Sequence, residues 1–226
     1  MFSTTTYRTA AEVNSAMGRV YAHMSLAIIT SMIVSYFVGT SPALLHFFFG
    51  SWVKWLVIFA PLAFIFAIPV LLESNIGRTG KALALHAFAA LMGLSFATIF
   101  AVYTMASIME AFMGGAVLFG TMSFYGYFTK QSLDSVGKFC FVGLIAIVIA
   151  SIINIFIGSS VMQMVISAIA IVIFLGLTAY DTQQIREMVS EGDAGDGVEI
   201  AGALTLYLDF INLFINLLQL FGVKKD

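Results

Sequence analysis

Apolar residues run in long blocks along this chain, and polar residues collect between them. Seven stretches are long, apolar and nearly free of charge, at roughly 20–40, 52–72, 82–104, 107–129, 138–157, 161–182 and 200–222. Each approaches the ~20 residues that a helix needs to cross about 30 Å of hydrocarbon. Membrane strands would be half as long and would alternate polar with apolar positions, which these do not. Helices satisfy every backbone donor and acceptor internally, so they are the reading here. The pattern predicts an all-α integral membrane protein of seven transmembrane helices. Residues 1–19 form an N-terminal tail, 20–222 a single membrane domain and 223–226 a C-terminal tail. The third and fourth spans part at "YTMASIME" and the fifth and sixth at "IGSS". Pro61 and Pro69 each delete a backbone hydrogen bond, which predicts a kinked second span. Polar residues run to Arg19, and the apolar block that follows is full length without an evident small-residue cleavage site. It reads as the first membrane helix rather than a signal peptide.

Composition agrees. Of 226 residues, 61% are hydrophobic and 10% charged. An ordinary soluble domain carries about 25% charged residues. So few charges cannot cover a soluble surface of this size, and the main solvent is the lipid bilayer. A net charge of −2 gives no footprint for nucleic acid. The one cysteine, Cys140, excludes an internal disulfide framework and reads as a packing residue.

Lys and Arg set the orientation. Arg8, Arg19, Arg78, Lys81, Lys130, Lys138 and Arg186 fall on one side, seven in all, against Lys54, Lys224 and Lys225 on the other. The positive-inside rule places the N-terminus in the cytoplasm and the C-terminus outside.

The informative residues are the charges that interrupt the apolar blocks. Placing one at the bilayer centre costs at least ~2.5–3.5 kcal/mol, so such residues are functional candidates. Asp181 ends the sixth block, in "LTAYDTQQIREM", and Asp209 is the only charge between Ile200 and Val223. If the sixth helix continues to Met188, Asp181 lies about 10 Å from that end. Asp209, nine residues beyond Ile200, lies about 13 Å from the start of the seventh helix. Adjacent antiparallel helices would hold both carboxyls at similar depth. Two such groups in a poorly hydrated space cannot both ionise cheaply, so the pair should share one proton and titrate as a unit. It reads as a proton-sensitive latch or as a site for a cation, calcium being suited to hard carboxylate oxygens. Local hydrogen bonding that only fixes helix packing is the plainer alternative.

Other polar residues say less. Glu110 is expected near the outer end of the fourth helix, where it would attract cations to an outer mouth or simply sit in interfacial water. "EGDAGDGVE" carries Glu191, Asp193, Asp196 and Glu199 without EF-hand spacing, and reads as a solvated acidic turn. His23, His46 and His86 lack the spacing of a metal pair. Asn154, Asn212 and Asn216 are expected to bond between helices, with pore lining the minority reading; Asn212 and Asn216 share a helix face. No soluble-type catalytic motif appears, and no lysine lies between Lys138 and Lys224 to carry a retinal Schiff base. The chain therefore reads as a non-enzyme with no bound cofactor.

"LTAYDTQQI" at 177–185 and "ALTLYLDFINLFINLLQLFG" at 203–222 closely resemble the end of the Bax inhibitor-1 family, the transmembrane Bax-inhibitor-motif proteins. "EAF" at 110–112, "TKQSLD" at 129–134, "INIFIG" at 153–158 and "FAALMGLSF" at 88–96 extend the likeness, and the bacterial branch is nearest. The resemblance implies a last helix at the centre with six others around it. It implies that Asp181 and Asp209 match the family's di-aspartyl pH sensor, associated with pH-dependent calcium leak. Arg78 is the nearest match to an arginine that latches onto one aspartate in family members. Some relatives carry an acidic residue inside the second helix, and this chain has none between Glu12 and Glu73. Bacterial members also include inner-membrane proteins that restrain a membrane-bound AAA protease. The expected function is a pH-sensitive leak channel or carrier of the inner (plasma) membrane, with calcium and protons as its partners. The alternative is an inhibitory partner of that protease, without ion flux.

Overall fold

The computed structural model describes residues 8–191 and 196–225. They form nine helices: α1 Ala10–Gly39, α2 Pro42–Phe49, α3 Val53–Glu73, α4 Gly77–Ser95, α5 Ala97–Val102, α6 Met105–Phe128, α7 Asp134–Ile157, α8 Ser160–Ser190 and α9 Asp196–Phe221. Among the described residues the sole β pairing is an isolated antiparallel bridge, Tyr103 with Lys224. Six helices are long and apolar enough to cross a membrane. A seventh span arises if the bent pair α2 and α3, turned by 82° between Phe49 and Val53, counts as one. The all-α membrane architecture is therefore as the sequence pattern predicts.

Three boundaries differ from the apolar blocks, each for a local reason. α1 begins at Ala10, inside the stretch read as a tail, because Thr9 and Glu12 close a capping box. Glu12 N–H donates to Thr9 Oγ1 (3.3 Å), and Thr9 N–H donates to Glu12 Oε2 (2.7 Å). The break before α3 falls at Gly50, Ser51 and Trp52, so the sharp turn precedes Pro61 and Pro69, and α3 runs without interruption through both. α8 does continue past Asp181, to Ser190.

By its contacts the chain divides into two compact units. The first comprises residues 1–103, 187–207 and 224–226. Here α1 packs on α4, and the buried positions Ala16, Met17, Val20, Met24 and Ala27 mark one side of α1. Ser31, on the same side, donates to the Ala89 carbonyl (2.7 Å) and meets the hydroxyl of the fully buried Tyr207 (2.7 Å). Gly93 lies so close to the Ser31 backbone that a Cβ would stand 2.5 Å from its carbonyl oxygen.

The second unit comprises residues 104–186 and 208–223. Its core on the α7–α8 side is Cys140, Ala170, Ile173, Phe174 and Leu177, with Leu144 and Ile147 packed against them. Cys140 is thus the packing residue its sequence context suggests. Gly126 of α6 and Gly137 of α7 press on Ala179 and Tyr180 of α8, the two residues before Asp181. A Cβ at Gly126 would collide with the Ala179 carbonyl, and one at Gly137 would stand 2.6 Å from the Tyr180 ring. These contacts let three helices crowd together at the level of the acid. The last helix is the most enclosed: 61% of its apolar window is buried, against 39% or less in the other spans.

Candidate functional site

The second unit positions Asp181 by clamping the helix around it. Thr178 donates to the Phe174 carbonyl of its own helix (2.7 Å). Thr182 meets Ser123 of α6 (2.9 Å), both buried. Gln183, also buried, accepts from Leu133 N–H (2.8 Å) and donates to the Gln131 carbonyl (2.9 Å). Gln184 donates to Asp134 (3.4 Å). Arg186 donates to the Tyr127 carbonyl and lies over the Tyr127 ring, 5.8 Å from its centre. The polar run after Asp181 is thus a set of hooks. Each amide or hydroxyl holds α8 to α6, to the segment between α6 and α7, or to the first residue of α7.

Asp209 faces this clamp from α9. It is 5% exposed, and its Oδ2 has no donor among the described residues. Its neighbour Phe210 packs edge-on against Phe112 (5.4 Å) and Phe119 (5.8 Å), so the surroundings on that side are hydrocarbon. The carboxyl groups of Asp181 and Asp209 lie close enough to interact with each other. Two carboxylate anions have only acceptors to offer each other. A bond between them would require a proton on one. Both helices reach past the apolar blocks, so both acids stand farther from their helix ends than those blocks alone suggest. Asp181 is nine residues from the end of α8, about 14 Å, and Asp209 is thirteen from the start of α9, about 20 Å.

The other sequence candidates lie elsewhere. Arg78, matched to an aspartate latch by resemblance, bonds Glu199 in the first unit, Nη2 to Oε2 at 3.3 Å. Glu199 is the residue that sequence reasoning missed. It was read as part of a solvated turn, yet it is 4% exposed, in the first turn of α9. Arg19 grips it through two bonds, Nε to Oε2 at 2.8 Å and Nη2 to Oε1 at 2.5 Å. The signal was its place immediately before an apolar helix, four and eight positions ahead of the buried Ala203 and Tyr207. Of the remaining acids in that stretch, Glu191 is exposed and Asp193 lies outside the described residues.

Glu110 is exposed in the second turn of α6. Ser123, which meets Asp181's neighbour Thr182, is thirteen residues farther along the same helix, about 20 Å. Glu110 is therefore not brought to the pair. His86 meets Thr30 through Nδ1 (3.0 Å), a helix-to-helix contact. Asn154 donates from α7 to Gln163 of α8 (3.3 Å), as expected. Asn212 and Asn216 do not bond between helices: each donates to the carbonyl one turn back on α9, Leu208 and Asn212, at 2.8 Å. The short amide reaches its own backbone more readily than a neighbouring helix.

Among the described residues no three His, Cys, Asp or Glu side chains cluster as a metal site. The pair itself supplies two carboxyls, whereas calcium takes 6–8 oxygens. These donors suit brief contact with a passing cation better than a resident one.

The helices define a multi-pass α-helical membrane protein with two acids, Asp181 and Asp209, brought together inside its second unit. The family model described as "Inhibitor of apoptosis-promoting Bax1" matches residues 13–226. The chain belongs to this family, the Bax inhibitor-1 family. It is 37% identical over 222 residues to the inner membrane protein YbhL of Escherichia coli, covering 95% of this chain and 94% of YbhL. It is 37% identical over 219 residues to an uncharacterized membrane protein of Streptococcus pyogenes, covering 93% of each. A Rickettsia prowazekii protein is 35% identical over 216 residues, covering 93% of this chain and 90% of that one.

Proposed function

We propose that this protein is a pH-sensitive cation leak pathway of a bacterial inner membrane, with calcium as the transported ion, gated by the proton that Asp181 and Asp209 share. The observation that carries this reading is the approach of the two carboxyls, with Asp209 buried and its neighbour Phe210 packed against aromatic rings. Neither packing nor stability calls for two acids there, because an apolar pair of similar volume would cost less. Losing or gaining the shared proton changes both the charge of the pair and its one hydrogen bond, and so shifts the populations of closed and open states. No bond is made or broken in a substrate, and the protein acts without a cofactor.

The N-terminus is assigned to the cytoplasm. Within the first unit, Arg19 and Arg78 share Glu199 at the start of the α4–α5 span. Lys225 donates to the Phe100 carbonyl near the other end of that span, which runs Gly77–Val102. Those 26 residues cover about 39 Å, so the two C-terminal lysines stand a membrane's thickness from the arginines, in support of the orientation read from charge.

The test is calcium flux into proteoliposomes of the purified chain from about pH 5 to pH 8, with Asp181→Asn and Asp209→Asn alongside. The expected result is a pH-dependent flux that both substitutions alter. No flux above protein-free liposomes at any pH would sink the leak reading and turn attention to a membrane-bound AAA protease as partner.

A further inference from the structure

The half of α9 beyond the acid pair has two unlike sides, and the mechanism above uses neither. Phe210, Ile211, Leu213, Leu217 and Leu218 are buried. Leu208, Asn212, Ile215 and Asn216 are only half-buried and Gln219 is exposed; Phe214, on the other side, and Leu220 are half-buried too. At 100° per residue Leu208, Asn212, Ile215, Asn216 and Gln219 gather on one side of the helix, with Asp209 at its margin. Asp209, Asn212, Asn216 and Gln219 are spaced by 3, 4 and 3 residues, a continuous row along one face.

The hydrogen bonds show what this row presents. Asn212 and Asn216 commit their NH2 groups to carbonyls of their own helix. Each therefore turns its Oδ1 outward from the backbone. Neither Oδ1 takes a hydrogen bond from any described residue, and neither is sealed from solvent. Next to them Asp209 Oδ2 also lacks a donor. At its far end the row meets a cluster of neutral amides and a hydroxyl: Gln163 Nε2 (2.8 Å) and Ser167 Oγ (3.0 Å) both donate to Gln219 Oε1, and Asn154 donates to Gln163. From Asp209 to Gln219 is ten residues, about 15 Å, or half the hydrocarbon thickness.

Bare amide oxygens against lipid would each cost several kcal/mol. Water and cations are the partners such oxygens take. We infer that the Asn212–Asn216–Gln219 face of α9 is a hydrated, uncharged lane of oxygens that carries cations between the Asp181–Asp209 pair and the C-terminal end of the helix. The inference rests on the leak reading for its cargo. Neutral oxygens at one-turn spacing replace part of an ion's hydration without holding it, as conduction requires. The carboxyl pair then decides whether the lane opens, and the amides decide how fast ions move along it.

The test uses the full chain in proteoliposomes, with two readouts. Single cysteines N212C and N216C, in a C140A background, are challenged with a charged, membrane-impermeant thiol reagent. L213C, on the buried side, is the control. The expected result is modification at 212 and 216 and none at 213. In parallel, the N212L/N216L double variant should pass calcium about tenfold more slowly than wild type while keeping the same dependence on pH. N212S/N216S, which retains an oxygen at each place, should recover most of the rate. If 212 and 216 are as inert as 213, the hydrated face is wrong even when wild-type flux is present. If they react but the leucine variant conducts at the wild-type rate, the lane is wet and carries nothing, which overturns the inference. Wild-type liposomes that show no flux would instead remove the leak reading, and the cysteine result would still decide whether the face meets water.

Discussion

This protein buries acid in two regions and satisfies it in opposite ways. In the first unit Glu199 is met by two guanidiniums, from Arg19 and Arg78, and needs no proton. In the second, Asp181 and Asp209 face each other, with no basic side chain between them among the described residues. The first arrangement is a fastener whose charges are settled on assembly. On the proposed function the second would change its net charge when a proton leaves, and so respond to its surroundings. Burial alone would not distinguish the two; an acid whose neighbour is another acid would.

Substitutions can break this contrast or sharpen it. The largest effect belongs to Asp209→Asn. An amide can donate to Asp181 without any proton, so the pair keeps its bond and loses its titration. Calcium flux through this variant should vary by less than about twofold between pH 5 and pH 8. A pH profile parallel to that of wild type would show that the switch lies elsewhere.

Next comes Glu199→Leu. Two guanidiniums then share a site with no counter-charge. Removing one partner of a fully buried ion pair costs about 3–5 kcal/mol. Here the two Arg side chains are 39% and 44% exposed, which screens the loss to about 2 kcal/mol. Thermal melting in detergent should show the drop, and the shape of the flux–pH curve should stay as in wild type. A reshaped curve would mean that the fastener takes part in gating.

Gln183→Leu should act between these extremes, at about 1–3 kcal/mol, because the buried Leu133 N–H loses its acceptor and the Gln131 carbonyl its donor. Freed from one hook, α8 holds Asp181 less firmly. The midpoint of the flux–pH curve should move while the maximum rate stays. An unchanged midpoint would assign Gln183 to loop stability alone. Smallest is Glu110→Gln. This exposed residue touches neither region, so it should lower flux only modestly and only at low ionic strength, where attraction of cations is unscreened. A loss that persists at high salt would place Glu110 on the ion's path.

How much of this was legible in the sequence follows from what each feature depends on. The membrane helices were readable because lipid imposes a length and an uncharged interior on every span. Asp181 and Asp209 were readable for the same reason, as charges where none is tolerated without cause. The start of α1 was missed because a capping box sits ahead of the apolar run, and helices do not end where lipid does. Glu199 was missed because its local setting, "EGDAGDGVE", has the composition of a turn. Its partners lie 180 and 121 positions away, and no periodicity points to them. Asn212 and Asn216 were located correctly but given the wrong bonds. Sequence shows that an amide sits in a helix, not whether it reaches inward to its backbone or across to a neighbour.

The carboxyl pair also has a history within each molecule. Chains are made from the N-terminus, so α8 reaches the bilayer before α9 has been synthesised. Through that interval Asp181 is in place without its partner. A lone acid at that depth is tolerated only if it is protonated or drags water inward. The arrival of the last helix ends this exposure. Insertion of α9 is therefore the step at which Asp181 gains its partner, and a chain stalled before residue 209 would leave that acid unmatched.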